Sequence, residues 1–114
     1  MSSPKKWLAI AAKLARSKND GRCFYFGAVA IRSDDILVFA YNGAPKYPCH
    51  QHHCEARLAR KLDRGAEVYL VRTTSDGAWA NSKPCAYCHN ILRKSRVTKV
   101  YYTTGPNEWN VLTF

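Results

Sequence analysis

Acidic residues are scarce in this chain. Eight Asp and Glu stand against eighteen Lys and Arg, a formal net charge of +10 over 114 residues. That balance favours anionic partners such as nucleotides, nucleic acids or an anionic surface, and it carries no information about fold. Long apolar runs are absent: none approaches the ~20 residues that would span a bilayer, so no membrane partner is expected. The N-terminal Met1-Ser2-Ser3-Pro4-Lys5-Lys6-Trp7 is basic, but no apolar stretch with a small-residue cleavage site follows it. A secretory signal is therefore not expected, and the expected compartment is the cytoplasm. Repeats, low-complexity tracts and linkers are also missing, so residues 1–114 read as a single domain. Five cysteines are an odd number, which excludes a fully paired disulfide framework and points to metal or catalytic use. What the chain does have is 46% hydrophobic residues and 12% aromatics, enough for one core and too many for a disordered tail.

Lys5 to Ser17 carries Trp7, Leu8, Ile10, Ala11, Leu14 and Ala15 at three- and four-residue intervals, the pattern of one helix face. Asn19-Asp20-Gly21 closes it with turn chemistry. Cys23 to Ile31 and Ile36 to Tyr41 read as two strands of a hairpin about Ser33-Asp34-Asp35. His53 to Leu62 reads as a short helix ended by Gly65, and Val68 to Val71 as a third strand. Thr73 to Lys83 reads as a polar loop turning at Asp76-Gly77. Cys85 to Lys94 reads as another helix, Val97 to Thr103 as a fourth strand, and Trp109 to Phe114 as a short last strand or a tail. The order α-β-β-α-β-α-β implies a three-layer α/β/α sandwich around a mixed four- to five-stranded sheet, with the last two long strands parallel.

Four of the five cysteines lie between Cys49 and His89, a window that also holds all four histidines. Two motifs stand out there. His53-Cys54-Glu55 opens one expected helix, and Pro84-Cys85-Ala86-Tyr87-Cys88 opens the next. One His with a Cys-x-x-Cys pair supplies three zinc ligands and leaves a tetrahedral position for water, as catalytic rather than structural sites do. Glu55 is free to move protons for that water. Helix N-termini favour the thiolate form a metal requires, and proline is well tolerated at a helix start.

Together these form the H-x-E…P-C-x-x-C signature of zinc nucleobase deaminases. The sequence resembles the cytidine/deoxycytidylate deaminase superfamily, over roughly residues 5–104, through Ala40-Tyr41-Asn42-Gly43-Ala44-Pro45, His53-Cys54-Glu55-Ala56 and Lys83-Pro84-Cys85-Ala86-Tyr87-Cys88. The Tyr-Asn-Gly-x-Pro loop is most similar to the deoxycytidylate (dCMP) deaminase branch. The resemblance implies a deaminase-like fold with zinc held by His53, Cys85 and Cys88. It makes Glu55 the catalytic proton carrier in a hydrolytic attack on the ring carbon bearing the exocyclic amine. It also implies that Asn42 binds the sugar, the Cys54 amide the pyrimidine carbonyl, and the Lys83 carbonyl the exocyclic amine. Family sites usually carry alanine where Cys54 stands.

The resemblance departs from the family after the fourth strand. About ten residues follow it here, where many relatives have another helix and a fifth parallel strand. That implies a pocket completed by a neighbouring subunit, hence a homo-oligomer. Strand alternation makes Tyr102, or the loop near Trp109, the candidate pocket wall.

Other readings stay open at this level. The same ligands could make a structural zinc with a fourth donor from Cys49, Cys54, His50 or His52. Cys49, His50 and His52 could form a second metal site with Cys23, which alone reads as a buried small residue. His89 reads as a first-turn helix residue or a phosphate contact. The basic runs Lys5–Lys18, Arg57–Arg64 and Arg93–Lys99 are solvated faces or attract phosphate. The expected activity is deamination of a small-molecule cytosine nucleotide, dCMP to dUMP. The alternatives are a cytosine or adenine deaminase acting on single-stranded DNA or RNA, and a small zinc module without catalysis.

Overall fold

A computed structural model of the chain describes residues 4–15, 25–41, 58, 61–74, 76–84 and 86–114. Pro4 opens helix α1 (Pro4–Ala15), where its missing N–H removes no helical bond. The apolar stripe read from the sequence becomes its inner face, with Leu8, Ala11 and Ala15 fully buried. Strands β1 (Tyr25–Ile31) and β2 (Leu37–Tyr41) form the expected hairpin, in register from Ile31↔Leu37 to Gly27↔Tyr41. Its turn is closed by the Arg32 N–H donating to the Ile36 carbonyl at 3.0 Å, with Asp35 at φ 64°, a left-handed conformation that Asp tolerates.

Strand β3 (Glu67–Thr73) is central. It lies antiparallel to β1 and parallel to β5 (Lys99–Gly105). Helix α2 (Ala86–Lys94) makes the crossover between the parallel pair. The chain order of the sheet is β2-β1-β3-β5-β6, and the two-residue β4 (Trp79–Ala80) pairs with β3. The mixed sheet therefore has six strands rather than four to five. The additional strand is β4, inside the segment expected to be a polar loop; two residues carry too little pattern to read. Of the two readings of the last segment, the strand holds: β6 (Glu108–Thr113) pairs antiparallel with β5 after a turn in which Asn107 sits at φ 58°.

Side-chain alternation along β3 divides the core. Val68 and Leu70 face one layer with Ala28, Ala30, Leu58, Leu92, Val100 and Tyr102; Tyr69 and Val71 face the other with Leu8, Ala11 and Val29. Since Leu92 belongs to α2 and Leu8 to α1, helices cover both faces, giving the three layers expected. The helix expected over 53–62 lies mostly outside the described residues. Of it, Leu58 is helical and fully buried against the α2 layer. No helix among the described residues is long and apolar enough to cross a membrane.

Two local devices set this frame. The first is the approach of α1 to β1. A Cβ placed on Gly27 would stand 2.0 Å from the Ala11 carbonyl oxygen and 2.8 Å from the Ala15 nitrogen. Backbone meets backbone there, so only glycine fits. The second ties the β1–β2 turn to the segment before β3. Ser33 donates its hydroxyl to Asp63 at 2.5 Å and its backbone N–H at 3.1 Å, and Arg32 approaches the same carboxylate at 3.9 Å. The Ser33 hydrogen bonds, aided by the Arg32 charge, hold the Asp63 carboxyl below its ordinary value of 3.8.

Gly27→Ala is expected to destabilise the fold by about 3 kcal/mol or more, because α1 must lift from the sheet; chemical denaturation measures it. Because Asp63 binds its proton more weakly folded than unfolded, its contribution is complete above the ordinary carboxylate range and is lost as pH falls through it. Asp63→Asn is therefore expected to flatten the decline of Tm between roughly pH 5 and pH 3, where Asp carboxylates titrate.

Candidate functional site

The parallel ladder of β3 and β5 runs from Glu67↔Lys99 to Leu70↔Tyr102 and stops. Beyond it, the chain leaving β3 doubles back. The Gly77 N–H donates to the Thr74 carbonyl at 3.0 Å, the Thr74 N–H to the Ala78 carbonyl at 2.9 Å, and Gly77 takes φ 90°. The Asp76-Gly77 turn expected from the sequence thus returns β4 onto Arg72 and Thr73.

The next residues enter the gap between the carboxyl ends of β3 and β5. Ser82, 1% exposed, donates its N–H to the Thr103 carbonyl at 2.9 Å. Its hydroxyl accepts the Thr103 N–H at 2.8 Å and donates to the Leu70 carbonyl at 2.9 Å. One side-chain oxygen thereby joins a donor on β5 to an acceptor on β3. Thr103, fully buried, lies 2.9 Å away through its own hydroxyl, which donates to the Ala80 carbonyl at 2.6 Å. The Thr103 proton goes to Ala80, so the Ser82 proton is shared between Leu70 and the Thr103 oxygen. Buried polar groups in such a set are costly to leave unpaired, which makes the arrangement specific.

The knot leads directly into the Cys-x-x-Cys motif. The Asn81 side chain accepts the Lys83 N–H at 3.2 Å, Pro84 is buried with its φ fixed by the ring, and α2 then begins at Ala86. Cys88 lies in the first turn of α2 and is fully buried. That turn carries no acidic residue, while Arg93 and Lys94 occupy the last turn. The start of α2 thus sets no carboxylate of its own turn beside Cys88.

Of the residues singled out in the sequence, Cys88, Lys83 and Tyr102 are described. Asn42, His53, Cys54, Glu55 and Cys85 lie outside the described residues, as do Cys23, Cys49, His50 and His52. Among the described residues no group of three His, Cys, Asp or Glu side chains comes together. Lys83 is exposed, at the mouth of the turn. Tyr102 is 7% exposed and belongs to the core layer shared with Leu92 of α2. Trp109 packs in the other layer, with Tyr101 and Trp79, so the two wall candidates lie on opposite faces of the sheet. His89 packs its ring against Phe114, centroids 5.0 Å apart. Sequence reading missed Ser82 and Thr103. Ser82 sits in a polar stretch with no periodicity, and only the β-strand alternation through Thr103 hinted that one of the pair turns inward.

His53, Cys85 and Cys88 are of the residue types that hold zinc, and Cys88, the one described, is buried in the first turn of α2. Helix α2 begins after the chain has left the carboxyl end of β3, the end at which open α/β sheets build their sites. A family model described as the cytidine and deoxycytidylate deaminase zinc-binding region matches residues 1–104, and the chain belongs to that family. No curated protein sequence matches the chain. Among solved structures, the crystal structure of cytidine deaminase from Burkholderia pseudomallei is similar with a TM-score of 0.65 at 20% identity, over 99% of this chain and 93% of that one. This likeness shows a shared fold.

Metal analysis of the purified chain is expected to give about one zinc per protein, as a three-ligand catalytic site implies. Cys88→Ala is expected to lose it while far-ultraviolet circular dichroism keeps the mixed α/β signal.

Proposed function

We propose that the chain hydrolytically deaminates a free cytosine nucleotide, dCMP to dUMP, with release of ammonia. The observation that carries the reading is the buried Cys88 thiol at the start of α2, in a Pro-Cys-x-x-Cys motif that leaves the carboxyl ends of β3 and β5. The family match supports zinc-dependent cytosine deamination in general. The choice of dCMP rests on the Tyr41-Asn42-Gly43-Ala44-Pro45 loop and on the net charge of +10, which favours a phosphorylated over a neutral substrate.

In this reading His53, Cys85 and Cys88 would hold zinc, which supplies Lewis-acid activation of the attacking water. Glu55 takes the proton of that water, delivers it to the ring nitrogen and then serves the departing ammonia. Asn42 orients the sugar. The Cys54 amide binds the pyrimidine carbonyl and the Lys83 carbonyl the exocyclic amine, and Tyr102 backs the pocket from the core. We take the compartment to be the cytoplasm, where free nucleotides are found. We also take the enzyme to be a homo-oligomer, since Leu37, Phe39 and Val111 are 37%, 41% and 42% exposed; sedimentation measures this.

A second reading is deamination of cytosine or adenine in single-stranded DNA or RNA. It is favoured by the net charge of +10 and by Tyr87, a 43% exposed aromatic side chain in the first turn of α2 beside Cys88.

Ammonia release with product identification separates these readings. The substrates are dCMP, dCTP, cytidine, deoxycytidine and a mixed single-stranded oligonucleotide. The expected outcome is conversion of dCMP at least about tenfold more efficiently than deoxycytidine, the worth of one charge-assisted phosphate contact. Glu55→Ala is expected to lose about 10²-fold or more in kcat. Conversion of the oligonucleotide alone would establish the second reading instead.

A further inference from the structure

We propose that Ser82 is a positioning residue for the zinc-binding turn. Its buried hydroxyl fastens the chain three residues before Cys85 to the ends of both parallel strands, so that the ligand-bearing turn is set before metal arrives. The proposal rests on the reading of Cys85 and Cys88 as zinc ligands.

The geometry is specific to this task. Four consecutive residues ahead of Cys85 are restrained, by three different means. Asn81 accepts the Lys83 N–H at 3.2 Å. Ser82 is bound to Thr103 and Leu70 through both backbone and side chain. Lys83 is thereby held at its own N–H, and Pro84 has its φ fixed and is buried. Just upstream, the Ala80 carbonyl is held by the Thr103 hydroxyl at 2.6 Å. An apolar side chain in the same gap would leave the Thr103 N–H and the Leu70 carbonyl without this partner and the chain exit unfixed. A serine that satisfies a donor on one strand and an acceptor on the other fixes the height and direction in which the chain leaves the sheet. Ligands on a segment already ordered lose less conformational entropy on binding metal, so the restraint appears as affinity.

The test measures zinc affinity by competition with a chromophoric chelator, and the absorption spectrum of the Co(II)-substituted protein, at a temperature where every variant is folded. The variants are Ser82→Ala, Ser82→Thr, Thr103→Val and Leu8→Ala. Leu8 is fully buried on the opposite face and serves as a destabilised control. The expected result is zinc affinity weakened about tenfold or more in Ser82→Ala, the loss typical of removing support behind metal ligands. An altered Co(II) ligand-field spectrum and recovery in Ser82→Thr are expected with it. Leu8→Ala should lower Tm without changing either readout. If Ser82→Ala does not fold, Thr103→Val decides, since it loosens the Ala80 anchor from the β5 side. Unchanged affinity and spectrum in the folded knot variants, or an equal loss in Leu8→Ala, overturns the proposal. A wild-type chain that binds no zinc overturns the ligand reading itself, and the positioning proposal with it.

Discussion

A single hydroxyl, that of Ser82, stands where the two parallel strands of this sheet part. Parallel strands joined by a helix diverge at their carboxyl ends, and the gap between them is where α/β proteins build their sites. Here the gap is partly closed by protein. Strand β4 and Ser82 fill the opening between β3 and β5, and the hydroxyl satisfies one group on each. Lys83 and the buried Pro84 follow directly from that fastening.

The two faces of the sheet carry different duties. On the α2 side, Leu58, Leu92, Val100 and Tyr102 make a core directly beneath the helix that bears Cys88. On the α1 side, Gly27 lets helix and strand backbones touch, and the Tyr69 and Tyr101 rings stack 4.8 Å apart, nearly parallel. Helix α2 with its Cys88 belongs to the first face and the tight structural seat to the second. A change that loosens α1 thus acts on the site only through the strands, whereas a change near Ser82 acts on the exit of the motif itself.

Much of this was legible in the sequence because it is local. The helical stripe within Lys5 to Ser17, the apolar run Val68-Tyr69-Leu70-Val71 and the Asp76-Gly77 turn each announce their structure within a few residues. The Pro-Cys-x-x-Cys motif also marked the start of α2. The illegible parts depend on residues far along the chain. Trp79 and Ala80 form a strand because Arg72 and Thr73 lie beside them and Thr103 binds the Ala80 carbonyl. Ser82 is buried for the same reason, although nothing around it in sequence is apolar enough to suggest it. The wall candidates Tyr102 and Trp109 were near in sequence, yet the β5–β6 turn and pleat send them to opposite faces.

The knot joins distant parts of the chain: Ser82 and Thr103 are 21 residues apart, and Arg72 and Thr103 are 31. The β1–β2 hairpin closes locally. The seam between β3 and β5 cannot close until the intervening helix has crossed over, and its loop-closure entropy precedes any reward in hydrogen bonds. Topology therefore makes this seam later than the hairpins β1–β2 and β5–β6 that flank it, and earlier than the still longer closure of β1 on β3. The segment that carries Cys88 lies between these two strands, so it takes its place with the β3–β5 seam and not with a local hairpin.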